Sequence, residues 1–446
     1  MRQVAPPSLR RISEYRWPLL ITLCIAVTAA FSLSPLVDVA RPDAAVTATL
    51  NAPLVYHLLA PASNILDALT MLSPAQYWAT FALCALLFIG GEIIGNVRRA
   101  RYFCVWKASR TCVRFTGGTV AILGIMLLLS RPMTSLRVSD PDLIVVDFHS
   151  HTSASHDGRP GFDAERNREW HRAAGFNAVY ITDHRTFDGA LDGLRLNPPT
   201  AGDGTTILPG VELRDGPEHP ILIGVDPKRM RINSPDWREA AVKADGAPVP
   251  PILILSLPGD LGRIPADENT GEIKLAAIEG ADGSPRGIAQ TTNDGKRIIA
   301  LANRMGLALV SGSDNHGWAA AAPAWSVLRI PGWRALTPTA LDTAIRRTII
   351  ARVPGSTQII SRRMAPPATG RIGNALGGVV VAALMFRTMS PRDRLSWLAW
   401  SWGLALIPSI SVRRRRRNLQ VWRRARRRAR ARRPLIDAAA AMETAL

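Results

Sequence analysis

Long apolar runs stand at both ends of this chain, and short ones repeat through its middle. Trp17–Leu36, Tyr77–Ile94 and Thr116–Ser130 come first, and Ile372–Phe386 and Leu395–Val412 come last. A helix needs roughly 20 apolar residues to cross a bilayer. The long runs therefore predict membrane regions at 1–137 and 357–412, on either side of a water-exposed domain at 138–356, with a tail at 413–446. Rival readings are a secretory leader for the first run, where Ala29 and Ala30 offer small residues, and buried core helices for the shorter ones.

In the middle region, apolar runs of strand length alternate with amphipathic stretches. Leu143–Val146, Ala178–Ile181, Thr206–Val211, Ile221–Val225, Pro251–Leu255, Leu275–Ile278 and Leu307–Val310 have this character. The alternation predicts an α/β fold with a mostly parallel sheet of about seven strands. Asp163 is placed to cap a helix whose first turn carries Glu165, and Gly175 stands where that helix stops.

Charge sharpens the division. The chain has 446 residues and a formal net charge of +20. Residues 140–355 hold 23 Lys and Arg against 27 Asp and Glu, which leaves 32 against 8 for the flanks. The domain is mildly acidic, and the basic character belongs to the ends. In membrane proteins Lys and Arg gather on the cytoplasmic side. Arg2, Arg10, Arg11 and Arg16 thus put the N-terminus inside, loop 38–76 outside and the basic loop 95–115 inside. A third span over Thr116–Ser130 then places the domain outside, the favoured arrangement of this multi-pass reading. Two further spans would leave Arg413–Arg433, with its 13 Arg, outside as well. Either one late segment lies in the interface, or Thr116–Ser130 does and the domain is cytoplasmic.

The Arg-rich tail reads as a polybasic segment held by anionic lipid. Only Trp422 offers an aromatic platform there, which argues against nucleic acid as its partner. The four cysteines, Cys24, Cys84, Cys104 and Cys112, have the spacing of neither a disulfide framework nor a zinc finger.

The candidate chemistry lies where strands end. Asp147-Phe-His-Ser-His-Thr-Ser-Ala-Ser-His-Asp-Gly158 follows the first strand of the middle region and crowds three His and two Asp into one loop. His149 and His151 alternate along an extended backbone, so both can face one side. His together with Asp suits zinc, manganese or iron. A second cluster, Gly312-Ser-Asp-Asn-His316, follows Leu307–Val310. Between them, other strands deliver Asp183 and His184, then Glu212, while His219 stands before Ile221–Val225. Barrel and open α/β enzymes keep their chemistry at such strand ends.

Asp147-x-His149-x-His151, Ile181-Thr-Asp-His184, Pro209-Gly-Val-Glu212 and Gly312-Ser-Asp314-x-His316, in that order, resemble the polymerase and histidinol phosphatase family over roughly residues 142–350. The resemblance implies a distorted seven-stranded β/α barrel, here flanked by transmembrane helices. It also implies two or three divalent ions (Zn, Mn or Fe) and hydrolysis of a phosphate ester by metal-activated water. The ligands it implies are His149, His151, Asp157, His184, Glu212, His219, Asp314 and His316, with Glu212 bridging ions. Two departures stand out. Where the family often has a His before Pro, this chain has Ser256-Leu257-Pro258, and Leu257 cannot bind metal. The first loop is one residue longer than usual, which leaves Asp157 or His156 as ligand. Asp157 is preferred, and His156 becomes a candidate acid or substrate contact.

On this reading Asp314 orients or deprotonates the water. Arg159 and Arg185 are candidate phosphate contacts, since a guanidinium fork matches phosphate oxygens; surface salt bridges are the plain alternative. Asp183 is expected to stand behind the ligands, and His171 to be packed or solvent-facing. The leading expectation is a membrane-anchored metal-dependent phosphoric ester hydrolase acting on a small phosphorylated substrate. The alternative is a membrane-tethered metal-binding sensor or binding module of the same fold, weakened at Leu257. Ligand types alone leave an amidohydrolase-like reaction open.

Overall fold

Each apolar run expected to form a strand in the middle region does so, and three further strands join the same sheet. The computed structural model describes residues 15–100, 105–128, 132–214, 219–230, 232, 241, 249–256, 273–364 and 370–407. The expectations placed on Leu257 and on the Arg-rich tail fall outside the described residues. The chain divides into two compact units, Ser32–Met389 and a smaller one made from Met1–Phe31 and Ser390–Leu446.

In chain order the strands are β1 (Leu36–Asp38), β2 (Ala48–Asn51), β3 (Ser135–Val138), β4 (Leu143–Ser150), β5 (Ala178–Ile181), β6 (Thr206–Glu212), β7 (His219–Ile223), β8 (Ile252–Ser256), β9 (Lys274–Asp282), β10 (Ala308–Gly312), β11 (Ala324–Arg329) and β12 (Thr357–Arg362). Ten of them form one sheet in the order β1-β12-β11-β4-β5-β6-β7-β8-β9-β10, while β2 and β3 pair separately. The sheet curls into a half-barrel that brings β10 back beside β4. Ser150 and Asn315 form a lone parallel bridge there. The Asp314 N–H donates to the His149 carbonyl at 2.8 Å, and the Ser311 N–H to Ser326 Oγ at 2.7 Å.

This corrects the expected seven-stranded barrel and its mostly parallel sheet. β4-β5-β6 and β8-β9-β10 are parallel. β7 runs antiparallel to both β6 and β8, and β11, β12 and β1 add antiparallel pairs. The reversal at β7 has a local cause: it follows β6 after a short connection, which suits a hairpin and is too short for a crossover helix.

The concave face is filled by Ile144, Val146, Phe148, Tyr180, Leu208, Ile254 and Val310, against Leu341, Ile345 and Ile349 of the helix Pro338–Ala351. Phe148 and Tyr180 stack at 5.4 Å. Beneath them the Tyr180 hydroxyl donates to Asp342 at 2.8 Å, and Arg346 pairs with the same carboxylate at 2.9 Å. This plug seals the end of the sheet opposite the His-bearing loops. The helix Ala164–Ala174 forms as expected: Asp163 accepts from the Arg166 N–H, and Gly175 ends it with φ 93°. A Cβ at Gly175 would lie 2.4 Å from the Leu136 carbonyl oxygen, so β3 can approach only because glycine is there.

The membrane expectation narrows. Among the described helices only Pro74–Gly95 is long and apolar enough by itself to cross a membrane; Gly370–Thr388 and Pro391–Ile407 qualify only if counted together. The Trp17–Leu36 run is helical only over Arg16–Ala30. Its end, Leu36, is buried in β1, so that run is not one long span. Five independent spans are therefore not what the fold shows. Residues 38–76, expected as an outside loop, supply β2 and the helices Leu54–Leu58 and Ala60–Thr70 to the larger unit.

Candidate metal centre

One end of the curled sheet gathers every expected ligand. His149 is next to last in β4 and His151 follows it, His184 follows β5, Glu212 ends β6, His219 begins the antiparallel β7, and Asp314 and His316 follow β10. Because parallel strands present their C-terminal ends at one rim and β7 runs the other way, its first residue reaches the same rim.

These side chains lie within polar contact of one another. Glu212 Oε2 lies 3.1 Å from His149 Nε2, 3.2 Å from His151 Nε2 and 3.1 Å from His184 Nδ1. Its other oxygen lies 2.8 Å from His219 Nδ1. Asp314 Oδ1 is 3.5 Å from His149 Nε2 and 3.3 Å from His151 Nε2. Asp157 Oδ2 is 3.4 Å from His184 Nε2 and 3.2 Å from His316 Nε2. His151 and His316 stack at 4.0 Å. Three overlapping groups emerge: His149, His151 and Glu212; His184, Glu212 and His219; His151, His184 and His316. The centre is graded from floor to rim, with His149 2% and His151 0% exposed, against 41% for His219 and 44% for Asp157.

Hydrogen bonds fix the ring nitrogens. Ser155 Oγ donates to Asp183 at 3.1 Å and lies 3.0 Å from His151 Nδ1. Its one proton is committed, so it accepts from His151 Nδ1–H, and the Nε2 lone pair points into the cluster. Asp183 is held by the Thr152 N–H and hydroxyl at 2.6 and 2.8 Å; it stands behind the ligands as expected. On His149, Nδ1 faces Glu279 at 3.1 Å and Ser256 Oγ at 3.3 Å, which again leaves Nε2 for the cluster. The two Nε2 atoms are only 3.0 Å apart. Two lone pairs and two carboxylates facing one another repel unless a cation, or a proton, lies between them.

The electrostatics carry the same message. Burial would raise the Glu212 carboxyl, yet His149, His151 and His219 hold it far below the ordinary carboxylate range. Burial likewise opposes ionisation of Asp314, and His149, His151 and His316 still bring it to about 2. For His151 burial disfavours charge, but Asp314 and Glu212 raise it to about 9. His149 is also raised, by Glu279, Asp314 and Glu212 against burial. Burial, with His151 and His149, lowers His184 to about 4. The carboxylates draw protons onto the two buried imidazoles, where a cation's charge belongs. Glu279 Oε2, Asp282 Oδ2, Asp314 Oδ1 and His316 Nε2 are buried without a hydrogen-bond partner among the described residues. Imidazoles and carboxylates in this number, with orphaned atoms among them, fit divalent transition ions.

Glu279 and Asp282 were not anticipated. Both lie in the last four residues of β9 and are buried, and with His149 they form another group able to hold an ion. Burial raises the Glu279 carboxyl; burial, Asp314 and Glu279 raise Asp282. The available signal was an acidic residue closing the apolar run Leu275–Ile278, as Glu212 closes Thr206–Val211. A Cβ on Gly312 would lie 2.2 Å from Glu279 Oε1 and 2.4 Å from His149 Cβ, so this glycine lets β10 close on the cluster.

The remaining candidates sit on the rim or behind it. His156 is 75% exposed, 3.8 Å from Asp157. Arg159 donates to the Gly317 carbonyl at 3.3 Å and lies 5.2 Å over the Trp318 ring. Arg185 is exposed, with φ 53°; Asp314, with φ 44°, is another non-glycine residue in the left-handed region. Such backbone costs about 1–3 kcal/mol and clusters at functional sites. His171 is packed, with Nε2 2.7 Å from Asp147. Asp147 in turn accepts the Ser313 and His149 N–H groups, tying both ligand loops together.

No family model matches the sequence, and no curated protein does. Solved structures do show likenesses. PsfC from Pseudomonas syringae is 19% identical, with a TM-score of 0.36, over 55% of this chain and 99% of that one. A Bifidobacterium adolescentis protein assigned as a metal-dependent phosphoesterase is 18% identical, TM-score 0.27, over 46% of this chain and 96% of that one. A lesion-specific endonuclease from Pyrococcus furiosus is 16% identical, TM-score 0.35, over 49% of this chain and 57% of that one. At these scores the case for function rests on the side chains themselves.

Proposed function

We propose that the chain is a membrane-attached, divalent-metal-dependent phosphoric ester hydrolase of the polymerase and histidinol phosphatase type. The observation that carries this reading is the convergence of His149 Nε2 and His151 Nε2, 3.0 Å apart, on the carboxylates of Glu212 and Asp314. His149, His151, Asp157, His184, Glu212, His219, Asp314 and His316 would hold two or three divalent ions. Such ions would supply an acidified water and charge neutralisation at the phosphoryl oxygens. Asp314, already ionised, accepts the proton of the attacking water. Arg185 and Arg159 flank the opening and bind the ester phosphate. His156 stands at the mouth, where it donates a proton to the leaving oxygen. The substrate is a small phosphate ester reached from the open rim of His219 and Asp157. The exposed apolar face of Pro74–Gly95 attaches the protein to a bilayer, and the Arg-rich tail binds anionic lipid.

The test is turnover by the purified full chain with manganese or zinc. Substrates are bis(p-nitrophenyl) phosphate, p-nitrophenyl phosphate, a DNA duplex and an N-acyl amide. The reading expects ester hydrolysis abolished by a chelator and by His149→Ala, and unchanged in Arg423→Ala. Cleavage of the amide alone would replace it with an amidohydrolase, and cleavage of the duplex alone with a nuclease. Leu257 favours a second reading, a metal-binding sensor; bound metal without turnover of any substrate is its signature.

A further inference from the structure

We infer that the helices Pro74–Ala100 and Val105–Leu128 form a hairpin that enters a bilayer and returns, so that the metal-binding domain is extracytoplasmic and the basic stretch joining the two helices is cytoplasmic. The inference rests on the membrane attachment proposed above and settles which face the domain occupies. Both ends of the hairpin are fastened to one body. Before it, β1 pairs with β12 and β2 with β3. Asp67 accepts from the Tyr56 hydroxyl at 2.8 Å and from Arg362 of β12 at 2.9 Å. After it, Thr134 bonds the same Arg362 guanidinium, and β3 leads into β4. A single crossing by Pro74–Gly95 would put β2 and β3 on opposite sides of the membrane, which their ladder forbids. The cytoplasmic alternative, in which Thr116–Ser130 does not cross, is thereby excluded.

The two helices meet through Phe115, 5.2 Å from Phe81 and 5.7 Å from Phe88. Trp78, Leu86, Leu87, Phe88, Ile94, Val113 and Val120 are exposed on them. In water so large an apolar surface is a liability, whereas hydrocarbon covers it. The turn is basic: Arg98, Arg99, Arg101, Lys107, Arg110 and Arg114 flank it. Arg110 and Arg114 lie in the first turns of a helix that starts at this turn. Helical side chains lean toward their own N-terminus, so both reach back to the headgroups there. Lys and Arg at the turn mark it as cytoplasmic.

The test uses the full chain in spheroplasts of a bacterial host, with Cys24, Cys84, Cys104 and Cys112 changed to Ser. Either Asp192→Cys or Ser109→Cys is added and probed with a membrane-impermeant maleimide. Asp192→Cys is expected to label in intact spheroplasts, and Ser109→Cys only after permeabilisation. Protection of Asp192→Cys, or equal labelling of both, overturns the inference. Should the cysteine-free chain not accumulate, alkaline phosphatase and fluorescent-protein fusions after Gly355 of the native chain replace it. Active phosphatase and a dark fluorophore are expected there, and the reverse overturns the inference. Extraction of the chain by alkaline carbonate would instead refute membrane attachment itself, and neither readout depends on turnover.

Discussion

Replacing Ser155 by alanine removes one oxygen atom and three hydrogen bonds from behind the metal cluster. Ser155 is 3% exposed. Its hydroxyl lies 3.0 Å from His151 Nδ1, accepts from the His184 N–H at 3.0 Å and donates to Asp183 at 3.1 Å. Asp183 keeps two bonds from Thr152, so its loss is small. The His184 N–H and the His151 Nδ1–H are stranded, and each buried donor without a partner costs about 1–3 kcal/mol. Because His151 can then place its proton on Nε2, metal affinity is expected to fall about 10–100-fold, the usual effect of removing a partner behind a ligand. The assay is competition for manganese or zinc between chelator-stripped protein and a chromogenic chelator, with a thermal melt of the same samples. An affinity within about twofold of wild type, with an unchanged melt, would refute the claim that Ser155 fixes the ligand tautomer.

Three other outcomes follow from the same geometry. His151 is raised to about 9 in the metal-free cluster, so protons compete with metal below that pH. Affinity should therefore rise from pH 6 to 9, about tenfold per unit for each proton displaced, with proton release seen calorimetrically; a flat profile over that range contradicts this. Gly312→Ala drives a Cβ into Glu279 and His149; it should cost about 1–3 kcal/mol in denaturant melts and weaken metal binding, and an unchanged midpoint contradicts the close approach. Arg362→Met removes the guanidinium paired with the buried Asp67 carboxylate. It should destabilise the larger unit by about 3–5 kcal/mol and expose residues 32–72 to protease; resistance equal to wild type contradicts the fastening role.

Much of this architecture was legible in the sequence because its signals are local. β-branched runs of strand length marked β4 to β10, and His-x-His, Asp-His and Asp-x-His at their ends marked the ligands. The Asp163 cap and the Gly175 stop were read from residue type alone. What escaped was decided at long range. β1 has three residues and no periodicity, and it exists because Asp38 and Leu36 pair with Ile360 and Arg362 more than three hundred positions away. The antiparallel turn of β7 is a matter of connection, which an apolar run does not encode. Glu279 closes the apolar run Leu275–Ile278 with no His beside it in sequence; only the return of Gly312 beside it shows that it serves His149. The length of the Trp17–Leu36 run suggested one span, whereas Leu36 belongs to the sheet.

The most direct measurement is the metal content of the purified full-length chain after exhaustive dialysis, beside that of His149→Ala. Roughly two to three equivalents of a divalent transition metal are expected in the former, with at least one lost in the latter. A wild-type chain that retains none when metal is supplied, or a variant that retains as much as wild type, would contradict the reading that these imidazoles and carboxylates hold shared cations.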